Sequence, residues 1–132
     1  MRKVTFKFSS AKTDYYFDAN FSYLQKLVDK KNAVVITDER VLFSHAAKFN
    51  GWNMIVLKSG EENKTQESVD AIIDNLIELE ADRKTILVGV GGGVITDVTG
   101  YAASIYMRGL SFGFVPTTLL GMVDAAIGGR TG

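Results

Sequence analysis

The run Thr85-Ile86-Leu87-Val88-Gly89-Val90 leads without a break into Gly91-Gly92-Gly93, and a helix-forming stretch follows. No other feature constrains the fold as strongly. An apolar run of strand length, with no polar alternation, belongs inside a sheet covered on both faces. Glycines at its end let the backbone turn sharply and come close to another group. The helix expected over 93–107 offers unpaired N–H groups and partial positive charge at its start. Such a junction suits a phosphate. The alternative is a tight packing turn with no ligand.

The rest of the chain alternates in kind. Residues 4–8 and 15–18 read as short alternating strands, the two arms of a hairpin. A helix is expected over 21–30, with Phe21, Leu24, Leu27 and Val28 on one face and Asn20 as its cap. Residues 33–37 form a second uninterrupted apolar strand. A helix over 39–49 closes at Asn50-Gly51, and 53–57 is a strand. Val69, Ile72, Ile73, Leu76 and Ile77 recur at helical spacing within 65–80. Residues 111–115 form another strand, and 116–126 a turn and helix. Alternating strands and helices predict one α/β domain over 1–132, a Rossmann-like, doubly wound, mainly parallel sheet with helices on both faces.

Composition narrows the function. Fifteen basic and fifteen acidic residues cancel, which argues against nucleic-acid or anionic-membrane partners. No apolar run is long enough to span a bilayer. The absence of cysteine excludes disulfides and thiolate metal sites, and fits the cytoplasm. The charge is unevenly placed. Residues 89–132 hold eleven of the thirteen glycines and only four charges, Asp97, Arg108, Asp124 and Arg130. Each of those charges therefore needs a partner or a ligand.

The candidates are few. Gly92, Gly93 and Val94 open the helix, and Asp97 lies one turn in. Asp38, after the strand 33–37, either caps the next helix or accepts from ribose hydroxyls. Thr117 and Thr118 either cap a helix or donate to a ligand. Asp124 and Arg130 either pair with each other or face a polar substrate. Arg108 either caps a helix C-terminus or reaches a phosphate. His45, the single histidine, reads as a surface or core residue. The Lys30-Lys31 and Glu61-Glu62 pairs read as solvated ends, and Trp52, Met54 and Ile55 as core.

Taken together, Gly91-Gly92-Gly93-Val94-Ile95-Thr96-Asp97, Tyr106-Met107-Arg108-Gly109, Pro116-Thr117-Thr118 and Val123-Asp124 through Gly128-Gly129-Arg130-Thr131-Gly132 closely resemble the N-terminal half of 3-dehydroquinate synthases. Gly60-Glu61-Glu62-Asn63-Lys64 resembles a loop of the same family. The resemblance implies conversion of 3-deoxy-arabino-heptulosonate 7-phosphate, a sugar-acid phosphate, to 3-dehydroquinate and phosphate, with NAD and a divalent metal (zinc or cobalt). It places Gly92, Gly93, Val94 and Asp97 at the NAD pyrophosphate and ribose region. Glu61 and Lys64 fall on the adenosine side with Asp38 at a ribose, and Thr117 and Thr118 at the nicotinamide half. It puts Asp124, Arg130 and Arg108 toward substrate, the last across a homodimer.

By the same resemblance, the metal ligands belong to a C-terminal helical domain, so the chain is expected to be a cofactor domain, inactive alone. Ser59, Thr96 and Arg130 depart from the family's usual Asp, Gly and Lys. Arg at a Lys position keeps the charge but changes its shape. Two alternatives stand beside this reading: a related sugar-phosphate cyclase acting on another heptulose phosphate, and a stand-alone nucleotide-binding module.

Overall fold

The computed structural model describes residues 2–7, 12–17, 24–58, 65–116 and 125–129. In chain order the elements are β1 (Arg2–Lys7), β2 (Lys12–Phe17), α1 (Leu24–Leu27), β3 (Ala33–Asp38), α2 (Glu39–His45), β4 (Asn53–Leu57), α3 (Gln66–Glu78), β5 (Ile86–Gly91), α4 (Gly93–Ile105), β6 (Ser111–Pro116) and β7 (Ala125–Gly129). Short 3-10 turns cover Lys30–Asn32, Ala46–Phe49 and Tyr106–Arg108. No helix among the described residues is long and apolar enough to cross a membrane.

The seven strands form one sheet in the order β1-β2-β7-β6-β5-β3-β4. β6, β5, β3 and β4 run parallel. β1, β2 and β7 add to the β6 edge by antiparallel pairing. The doubly wound α/β core is therefore as expected, with an antiparallel extension on one side.

Side chains alternate along the strands and build two cores. Ala33 and Val35 of β3, with Val88 and Val90 of β5, pack with Leu24, Val41, Phe49 and Trp52. Val34 and Ile36, with Leu87, face Val69, Ile72 and Leu76 of α3 and Ile95, Val98, Ala102 and Ala103 of α4. Helices thus cover both faces. The period of two in strands places β3 in both cores at once. That explains its unbroken apolar sequence.

Several boundaries differ from the sequence reading. The helix expected over 21–30 is described only as one turn, Leu24–Leu27. Asp29 ends it: its carboxylate accepts from the Lys31 N–H and starts a 3-10 turn instead. Residues 46–49 tighten from α to 3-10 geometry before Gly51, whose φ of +83° suits glycine. Lys30 is not a solvated end. Its ammonium lies 5.2 Å from the Trp52 ring centroid and donates to the Asn50 carbonyl. Residues 125 and 126, expected in a helix, open β7, and the glycines after them continue that strand. Ala126 lies between Tyr15 and Phe114, so pairing on both sides overrides alanine's helix preference.

α4 stops at Ile105 rather than Met107. Backbone groups close it: the Leu110 N–H donates to the Ala103 carbonyl and the Gly109 N–H to Tyr106. The Arg108 side chain is not what ends the helix. Met107, Arg108 and Gly109 have φ of 47°, 67° and 108°. A left-handed conformation costs a non-glycine residue about 1 kcal/mol or more. Arg108→Gly should therefore raise stability by about 1 kcal/mol, less glycine's greater freedom in the unfolded chain. Urea denaturation measures it, and a lowered midpoint would show that the exposed guanidinium contributes more than the strain removes.

Candidate functional site

The sheet order creates a crevice. From β3 the chain crosses to β4 on one side, whereas from β5 it crosses to β6 on the other. The connections part between β3 and β5, and open α/β sheets bind ligands outside the carboxyl ends of strands at such a point. Thr37 and Val90 are the last paired residues there. The buried Thr37 hydroxyl donates to the Val90 carbonyl at 2.6 Å, tying the two strand ends together. One residue further on stand Asp38 and Gly91. Sequence reasoning passed over Thr37. A hydroxyl at the end of an apolar strand was the available signal.

The three glycines of the loop have different tasks. A Cβ at Gly91 would lie 2.7 Å from Ile95 Cγ1, so the packing of α4 on β5 requires that glycine. A Cβ at Gly92 or Gly93 would meet nothing within 4 Å among the described residues. Gly92 has extended backbone, φ −86° and ψ −163°, which any residue adopts. Neither packing nor backbone strain accounts for the bare backbone at Gly92, and both glycines are exposed.

The start of α4 is also open. α2 is capped by the Asp38 carboxylate, which accepts from Val41 N–H at 2.8 Å. α3 is capped by the Thr65 hydroxyl, which accepts from Ser68 N–H at 3.3 Å. α4 has Gly92 at its cap, with no side-chain bond and no acidic residue in its first turn. Its first N–H groups therefore point out of the helix with no capping side chain at Gly92 to accept from them. Thr96 donates its hydroxyl to the Gly93 carbonyl at 3.0 Å, which secures this first turn from within. Its role was not visible in the sequence, where it stood only as a departure from glycine.

Asp97 lies four residues after Gly93, on the same helical face, and Cβ bonds tilt toward the helix start. It is exposed, and it lines a cleft of about 400 Å³ with Thr65, Gln66, Val69, Val98 and Tyr101. Gly92, Gly93 and Val94 follow β5 directly and Asp38 ends β3, so these four stand at the mouth of the crevice, whereas Asp97 lines the cleft between α3 and α4, whose described lining includes none of the four. Arg108 is at the opposite end of α4, away from them. Glu61, Lys64, Thr117, Thr118, Asp124 and Arg130 lie outside the described residues. Among the described residues, no cluster of three or more His, Cys, Asp or Glu could hold a metal ion. His45 ends α2, half-buried.

Asp38 separates two tasks by substitution. Asparagine caps a helix about as well as aspartate, and alanine does not. Asp38→Ala should lose about 1 kcal/mol of stability, and Asp38→Asn no more than a few tenths. Thermal melts check this. Equal losses in both would show that the charge, not the cap, carries the stability.

The sequence profile for the 3-dehydroquinate synthase N-terminal region matches residues 54–132. The chain belongs to the 3-dehydroquinate synthase family. Among curated relatives, the 3-dehydroquinate synthase of Pyrococcus abyssi is 58% identical over 78 residues, 59% of this chain and 24% of that protein. The enzyme of Sulfurovum is 40% identical over 122 residues, 88% of this chain and 35% of that one. The chain thus spans about a quarter to a third of the length of these family members.

Solved structures share the fold. A 2-deoxy-scyllo-inosose synthase complexed with carbaglucose-6-phosphate, NAD+ and Co2+ superposes with a TM-score of 0.70 at 24% identity, over 88% of this chain and 35% of that one. A 2-epi-5-epi-valiolone synthase from Streptomyces hygroscopicus, with NAD+ and Zn2+ bound, gives 0.61 at 30% identity, over 72% of this chain and 29% of that one.

Proposed function

We propose that this chain is the NAD-binding part of a 3-dehydroquinate synthase, which turns 3-deoxy-arabino-heptulosonate 7-phosphate into 3-dehydroquinate and phosphate in the shikimate pathway. One observation carries the reading: α4 begins without a side-chain cap, and no described residue stands within 4 Å of a Cβ at Gly92 or Gly93, beside the β3–β5 crevice. The relative with NAD+ bound supports the choice of ligand. A pyrophosphate fits such a start, because free amides and the helix dipole favour negative charge.

The residues divide the work by charge. The amides of Gly92, Gly93 and Val94 donate to the pyrophosphate. Asp38 and Asp97 repel phosphate, so they accept from ribose hydroxyls instead. When bound, NAD would supply reversible acceptance of a hydride from the carbon that bears a substrate hydroxyl. Thr117 and Thr118 would hold the nicotinamide half, and Glu61 and Lys64 the adenosine side. Asp124 and Arg130 would contact substrate, and Arg108 would reach its phosphate across a homodimer. A divalent metal, zinc or cobalt, would polarise the reacting oxygens, held by donors outside the described residues. The cytoplasm is the proposed setting.

A second reading has a specific support. Both solved neighbours are sugar-phosphate cyclases of other names, so another heptulose phosphate is the competing substrate.

Calorimetric titration of the chain with NAD, with NADP as comparator and Asp97→Ala as control, tests the cofactor. Saturable NAD binding that weakens in the control is the expected result. A folded chain that takes up neither nucleotide would refute the nucleotide reading for the chain by itself. Turnover of the heptulosonate against sedoheptulose 7-phosphate, by a protein extended to the length of its relatives, decides between the substrates.

A further inference from the structure

Two glycines of β5 face α4, and each receives a β-branched side chain. A Cβ at Gly91 would lie 2.7 Å from Ile95 Cγ1 and 2.8 Å from its Cβ. A Cβ at Gly89 would lie 2.7 Å from Thr99 Oγ1, 3.1 Å from its Cβ and 3.3 Å from its Cγ2. Real Cβ atoms do not come that close: at Gly91 the Ile95 Cβ, fixed to the helix backbone, would have to move, and at Gly89 Thr99 would have to turn its hydroxyl and give by a few tenths of an ångström. The spacing is in step. Two residues advance about 6.6 Å along a strand, and four advance about 6 Å along a helix. Ile95 and Thr99 therefore rest on Gly91 and Gly89 like two rungs. One rung fixes a point of contact, and two fix a direction.

The lower rung lies wholly inside the core. Thr99 is fully buried, and its Oγ1 has no hydrogen-bond partner among the described residues. Valine has the same shape without that unsatisfied hydroxyl.

We infer that Gly89 and Thr99 are positioning residues: their contact sets the tilt of α4 and thereby the placement of the Gly92 and Gly93 amides. Thr99 lies six residues from Gly93, about 9 Å along the helix. It touches no ligand and acts only through the helix axis. The inference deepens the nucleotide reading and rests on it for affinity, but not for geometry.

The test uses this chain, with amide NMR for geometry and NAD as the titrated probe. Gly89→Ala should shift the Gly92 and Gly93 amide resonances and weaken NAD binding by about tenfold or more. Adding Thr99→Ala should bring the resonances back and the affinity to within about threefold, about 0.7 kcal/mol. Thr99→Val should leave both unchanged, because shape is what acts. A folded Gly89→Ala chain with unmoved Gly92 and Gly93 resonances and unchanged affinity overturns the inference. Should Gly89→Ala not fold, Thr99→Ala alone, which adds no atom, must shift the same two resonances, and their constancy overturns it equally. If the unaltered chain binds no NAD, the nucleotide reading fails, while the resonances still decide the positioning role.

Discussion

Gly92→Val should leave the fold intact and reduce NAD affinity by about a hundredfold, close to 3 kcal/mol. The two halves of this expectation come from different observations. Stability should fall by no more than about 1 kcal/mol, the preference for glycine over valine at a helix cap, because a Cβ at 92 has no neighbour within 4 Å among the described residues and the backbone there is extended. Valine favours extended backbone, so the unbound chain gains no strain. Affinity falls because the branched side chain occupies the space before the open amides. Gly91→Ala makes the contrast. Its Cβ would collide with Ile95, so stability falls by about 1 to 3 kcal/mol. Urea midpoints and titrations of both variants check the pair. A Gly92→Val chain that binds NAD as tightly as before would remove the loop from the site.

The largest loss of stability is expected at Ile72→Ala. Ile72 lies on α3, fully buried among Val34, Ile36, Ile55 and Leu76. Truncation removes the transfer energy of three carbons and leaves a cavity, about 2 to 5 kcal/mol together. A domain of this size has about 5 to 15 kcal/mol in all, so much of the margin goes. The folded fraction should bind NAD nearly as before, because Ile72 is a core residue of α3 and is not among those proposed to hold the nucleotide. Denaturation followed by near-ultraviolet circular dichroism gives the loss. A change below 1 kcal/mol would mean that α3 closes over the gap.

Much of this architecture is legible in residue order. β4 was bounded to the residue, because Asn53 and Lys58 flank a short apolar run. α3 was legible because its apolar residues keep helical spacing for three turns and Thr65 caps them. The doubly wound core followed from alternation of type. Strand neighbours were not legible. β7 is short and made of Ala, Ile and Gly, and its strand state depends on pairing with β2 and β6. Local propensity carries no trace of partners so distant in sequence.

The candidate site was half legible. Glycine at 91, 92 and 93 looks the same in a sequence. Only the surroundings show that one makes room for Ile95 and the others leave open space. Asp38 kept both of its readings as far as the cap, which is now seen at 2.8 Å.

Among the described strands, the β1–β2 hairpin joins the sheet through β7, with Asp14 paired to Ile127. A ribosome adds about 5 to 20 residues per second. The hairpin therefore waits roughly 5 to 20 s for its neighbour while the parallel strands assemble between them. Its outer edge must stay unpaired through that interval without joining another chain. The lysines and arginine of β1, at positions 2, 3 and 7, are the kind of residues that keep an open edge from doing so.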